Sequence, residues 1–137
     1  MTNLPGAYLN ADQFDDKEVI MIFRGHLAEM MVLAAPEVYR DYITDVNGKK
    51  VLYVKVKKAI YGLMKSALLF YRKLWTDLSN DGFKLNPYDP CVANKMVNGK
   101  QMTVCWHVND LKMFHAKEDV LTAFINCLEG IYGKLSV

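Results

Sequence analysis

The sequence predicts an α+β fold, an antiparallel sheet with helices packed on one face, and three observations carry that expectation. Two Asn-Gly pairs, Asn47-Gly48 and Asn98-Gly99, stand between runs of β-formers. Asn-Gly suits the two positive φ angles of a type I′ turn, so each pair marks a hairpin. Two stretches with apolar residues three and four apart read as amphipathic helices. Finally, in TVCWHVNDLKMFH, residues 103–115, two apolar runs meet at a short polar turn.

The elements follow in chain order. Short helices are expected over about 27–34 and 36–42, the second opened by Pro36 at a first-turn position. The first hairpin pairs about 42–46 with 50–57, and strict alternation turns Leu52, Val54 and Val56 one way and Tyr53, Lys55 and Lys57 the other. Ser66 is expected to cap a helix running to about Asn80, with Phe70, Leu74 and Leu78 along one stripe and Gly82 as the stop. The second hairpin pairs about 91–97 with 101–107, and a further turn at Asn109-Asp110 leads into Leu111–Phe114. A last helix over Glu118–Tyr132 buries Val120, Phe124, Cys127, Leu128 and Ile131, with Glu118 and Asp119 complementing its N-terminal dipole.

The chain has 137 residues and is 52% hydrophobic, enough for one domain with a sizeable core. No repeat or low-complexity segment divides it. The longest apolar runs, such as Val19–Phe23, are far too short to cross a bilayer, and no charged leader precedes them. The expectation is therefore a soluble chain, intracellular if expressed, with no membrane partner. Cys91, Cys105 and Cys127 are odd in number and widely spaced, which reads as three reduced core thiols. His26, His107 and His115 lack the i, i+4 spacing of a zinc helix, and no phosphate-binding glycine loop, dinucleotide fingerprint or nucleophile elbow occurs. The methionines, among them Met30, Met64, Met96 and Met102, read as core packing, and Asp12, Asp15, Asp16 and Glu18 as a solvated loop.

A net charge of +2 hides an asymmetry. Residues 49–73 hold eight Lys or Arg and no Asp or Glu, which leaves nine basic against fifteen acidic residues elsewhere. Tyr53, Tyr61, Phe70 and Tyr71 are interleaved with that charge. Cations with aromatics suit a phosphate backbone and its bases, and a solvated lysine face gives the same pattern.

Four stretches carry a resemblance: GAYLNA at 6–11, KKAIYGLMKSALLFYRKL at 57–74, GFKLNPYDPCVANK at 82–95 and HVND at 107–110. Together, in this order and spacing, they resemble the reverse transcriptase of Ty1/copia-type LTR retrotransposons. The resemblance implies a palm-like sheet and RNA-directed DNA polymerisation, with an RNA or DNA template-primer and a deoxynucleoside triphosphate as partners. It also implies Mg²⁺ as cofactor, two ions roughly 3.5–4 Å apart held by clustered carboxylates. Under it, the chain starts almost on the first palm motif and stops after the helix following HVND, so most of the fingers, the thumb and RNase H lie outside it.

The sequence departs from the family pattern at the metal positions. The hairpin pair usually written Asp-Asp is here Asn109-Asp110, and the Asp three residues before the opening glycine is here Asn3. Asp110 is the one matched carboxylate. If each lost carboxylate costs about 3 kcal/mol of transition-state stabilisation, two cost about 10⁴-fold in rate. The implied catalytic set is therefore Asp110 with the degenerate positions Asn109 and Asn3, which are expected to share one site.

Other matched positions are nucleotide-binding under the resemblance. Tyr8 falls where the family places the aromatic beneath the incoming sugar, and Tyr61-Gly62 matches its Tyr-Gly before the second palm helix. The usual Leu-Lys-Gln-Ser-Pro after it reads Leu63-Met64-Lys65-Ser66-Ala67 here. Lys55, Lys57 and Lys65 are the candidate nucleic-acid contacts. The expectation is thus a catalytically degenerate polymerase fragment. A non-catalytic nucleic-acid-binding module using the 49–73 face, and a purely structural domain, are the alternatives.

Overall fold

The computed structural model describes residues 2–13, 18–63 and 65–136. Along the chain run β1 (Thr2–Asn3), β2 (Ile20–Arg24), α1 (His26–Ala34), α2 (Pro36–Tyr39), β3 (Thr44–Val46), β4 (Lys49–Lys55), α3 (Ser66–Asn80), β5 (Lys84–Leu85), β6 (Val92–Val97), β7 (Lys100–His107), β8 (Asp110–Phe114) and α4 (Glu118–Tyr132). The fold is α+β with antiparallel sheets. Its residues form two compact units, Met1–Gln13 with Lys58–Val137, and Phe14–Lys57. No linker composition marks that division.

The larger unit holds a five-stranded sheet in the order β1-β8-β7-β6-β5. β6 and β7 join at Asn98-Gly99, both with positive φ, and Val97 pairs with Lys100. Alternation along the strands then sorts the two faces. Met102, Val104, Trp106, Ala93 and Leu111 meet Phe70, Leu74 and Leu78 of α3 and Phe124, Leu128 and Tyr132 of α4 in one core. The helices therefore cover one face of this sheet. The other face is mixed: Thr103 donates to Asn94 Oδ1 at 2.7 Å and Gln101 donates to both, beside exposed Met96 and Phe114.

Helix α3 ends as expected and begins differently. The Phe83 N–H reaches the Leu78 carbonyl and the Gly82 N–H reaches that of Ser79, which closes the orphan carbonyls of the last turn. At the other end Lys65 is the cap residue, and Ser66 is buried inside the first turn with its hydroxyl donating to the Ile60 carbonyl at 2.6 Å. A buried hydroxyl takes a backbone acceptor first, so Ser66 ties the preceding loop down instead of capping the helix. In α4 the buried stripe is Phe124, Leu128 and Tyr132, while Cys127 and Ile131 are exposed. Each of those two lies one residue, about 100° of rotation, before a buried position. The expectation of three core thiols fails likewise, since Cys91 and Cys105 are only half-buried. Met102 is in the core as expected, but Met30 and Met96 are exposed, and Met64, with Asp15 and Asp16, lies outside the described residues.

The smaller unit is a three-stranded sheet, β2-β4-β3, with α1 and α2. Asn47 and Gly48 make its hairpin turn, both at positive φ. The strand pairing is shorter than the alternation suggests, Thr44–Val46 against Lys49–Val51. Tyr53, Lys55 and Lys57 are exposed and Leu52 is buried, but Val51 is buried too, so alternation breaks at that point. Among the described residues no helix is long and apolar enough to cross a membrane.

Candidate functional site

β7 and β8 form a hairpin whose two turn residues are Val108 and Asn109, because His107 pairs with Asp110. Asp110 is thus the first residue of β8, one step in from the tip. Val108 has φ 54. That left-handed conformation is costly for a β-branched side chain, of order 1–3 kcal/mol, and it makes this the strained point of the hairpin.

β1 lies against β8 with Asn3 directly opposite Asp110 and Thr2 opposite Leu111. Leu111 is in the core, so Thr2 points inward and is buried, and Asn3 and Asp110 share the outer face, away from the helices. The Asn3 amide donates from Nδ2 to Asp110 Oδ1 at 2.8 Å, and the Leu4 N–H donates to the Asn109 carbonyl at 2.9 Å. On its far edge, Asn3 exchanges two backbone hydrogen bonds with Ser136. Two sequence-remote segments thus meet in one polar site. A cleft of about 330 Å³ beside it is lined by Cys105, Trp106, His107, Asp110 and Lys112.

The second group of candidates comes together as well. Tyr8 sits on a single 3-10 turn, Ala7–Asn10, not on a strand, and its ring packs on Tyr61 at 4.4 Å and on Phe70 at 6.0 Å between centroids. Gly62 has φ 90 and open space where a Cβ would stand, so a side chain there would be strained but not crowded. Asn3 and Tyr8 are five positions apart in the chain, a span of at most about 18 Å.

The basic candidates do not form one free surface. Lys55 pairs with Glu18, Lys58 with Asp12, Lys50 with Asp45 and Lys73 with Asp77. At least four of the eight cations in residues 49–73 are thereby paired, and the run is divided between the two units after Lys57. Asp12 and Glu18, expected in a solvated loop, are the partners of that run. Lys57 is exposed with no ion-pair partner among the described residues, and Lys65 caps α3.

The residues present do not fit a pair of divalent cations. Such a site needs several oxygen ligands of high charge density. Here a single carboxylate faces an amide N–H, a donor that competes with metal for the same oxygen. Among the described residues no group of three or more His, Cys, Asp or Glu can hold a metal ion. Comparison with protein-family models, curated proteins and solved structures gives no match.

Proposed function

We propose that this chain is a palm-region fragment of a copia-type reverse transcriptase in which the polymerase chemistry has been lost. The observation that supports the reading is the pairing of Asn3 with Asp110. These residues are 107 positions apart, and both fall where the resemblance expects metal-holding carboxylates. They sit beside the tip of a hairpin, on the face of the five-stranded sheet opposite α3 and α4. Tyr8 against Tyr61 is a second such coincidence, two matched nucleotide positions in ring contact. The substitutions at 3 and 109 remove the charge that Mg²⁺ requires, so the family's two-metal step has no basis in this copy.

The DNA on either side of the reading frame tests the ancestry. Remnant fingers coding upstream and RNase H coding downstream, in any frame, are the expected result. Flanks with no polymerase-like coding on either side would overturn it.

A further inference from the structure

We propose that the Asn3 amide has taken the place of a cation in this site, making the β1–β8 seam a metal-independent lock. The description of Asn3 as a replacement rests on the reading above; the lock itself rests on geometry. β1 is two residues long, so few backbone bonds hold it. Beside the backbone bonds to β8 and Ser136, its one side-chain bond to the sheet among the described residues is Asn3 Nδ2 to Asp110 Oδ1 at 2.8 Å. The amide's orientation is dictated by its partner, because exchanging its nitrogen and oxygen would set two acceptors 2.8 Å apart. Two carboxylates in the same register would repel unless a cation stood between them. An amide N–H opposite one carboxylate removes that requirement.

The inference predicts how stability responds to metal. Thermal unfolding of the native chain, Asn3→Asp, Asn3→Ala and Asp110→Asn is measured in EDTA and in millimolar MgCl₂. The native chain is expected to melt at one temperature in both. Asn3→Asp is expected to melt about 5 °C lower in EDTA and to recover with Mg²⁺, whereas Asn3→Ala falls and does not recover. Asp110→Asn keeps an acceptor for the Asn3 N–H and stays near the native value, which covers the case of an acidic variant too unstable to measure. A native chain stabilised by Mg²⁺, an Asn3→Asp variant as stable as native in EDTA or unresponsive to Mg²⁺, or an Asp110→Asn variant that falls as far as Asn3→Ala would each overturn the lock. The ancestry fails on flanking DNA and the lock on melting temperatures, so the two failures are distinct.

Discussion

The Tyr132 hydroxyl donates its proton to the Asp77 carboxylate, tying the last residue of α4 to α3. Lys73 donates to the same oxygen at 2.8 Å and lies over the Tyr132 ring, 5.3 Å from its centroid. Tyr132→Phe keeps the buried ring and removes one charge-assisted bond, while Asp77 retains Lys73. The expected cost is about 1–2 kcal/mol, read as a lower urea midpoint at unchanged slope.

The same pair gives stability a pH dependence. Burial, then the hydrogen bond and charge of Asp77, hold the Tyr132 phenol well above its ordinary value. Above pH about 10 the unfolded chain loses this proton while the folded chain keeps it, so the folded state binds more protons and stability falls as pH rises. Tyr132→Phe should lose that part of the alkaline slope, and an unchanged slope in the variant would assign it to another group.

Leu74, fully buried between α3 and the sheet, reports on the core of the larger unit. Leu74→Ala should cost about 2–5 kcal/mol, the transfer term plus the cavity left behind. Exposed Leu33 on α1 is the control, and its Ala variant should stay within about 0.5 kcal/mol. Equal losses at the two sites would mean that Leu33 is covered in solution.

At the hairpin tip, Val108→Gly should raise stability by about 1 kcal/mol, because glycine adopts φ 54 without the Cβ penalty that valine bears. A loss of stability would show that the valine side chain makes contacts that outweigh its strained backbone.

What was legible in the sequence was local. Asn47-Gly48 and Asn98-Gly99 fix both hairpins because few other pairs tolerate two successive positive φ angles, and both residues adopt them in each turn. The stripe Phe70, Leu74, Leu78 marks α3 because burial on one helix face enforces its own period. The pairing of the basic run was not legible, since Lys55 meets Glu18 from 37 residues away and Lys58 meets Asp12 from 46. Nothing in the local pattern brings those carboxylates near. Cys127 and Ile131 were misplaced for a subtler reason: a 3.6-residue period leaves neighbouring positions about 100° apart, and which edge of the stripe is covered depends on the partner surface. At the candidate site, the resemblance alone brought positions 3 and 110 together. The direction of their hydrogen bond came only with the register of a two-residue strand.

Neutralised lysines limit what the smaller unit's sheet can bind. Arg24, Lys49, Tyr53 and Lys55 are exposed, though buried Val51 interrupts their alternation, and Lys55 already has Glu18. If Arg24 and Lys49 reach phosphates, binding of single-stranded DNA should weaken with a slope of about −1.4 in log K against log salt. Glu18→Gln should tighten binding at low salt by freeing Lys55, and Tyr53→Ala should weaken it with the slope unchanged. Binding indifferent to salt would remove the nucleic-acid reading of this face.

The remaining prediction concerns polymerisation. With a single carboxylate in the site, the unmodified chain should not extend a primer on an RNA template above background at any Mg²⁺ concentration. Asn3→Asp with Asn109→Asp restores the acidic density, and because the two changes act on one site, either alone should restore far less than both. Asn109 is a turn residue and Asn3 is paired across the seam, so only Asn3→Asp disturbs an existing side-chain hydrogen bond among the described residues. The doubly restored chain is therefore expected to gain Mg²⁺-dependent stability before it gains turnover. Charge alone does not align a primer hydroxyl with a triphosphate, and positioning supplies much of the rate in phosphoryl transfer. Template-dependent, Mg²⁺-dependent incorporation of deoxynucleotides by the unmodified chain would overturn this argument at its root, because it would mean that two amides and one carboxylate suffice for the step.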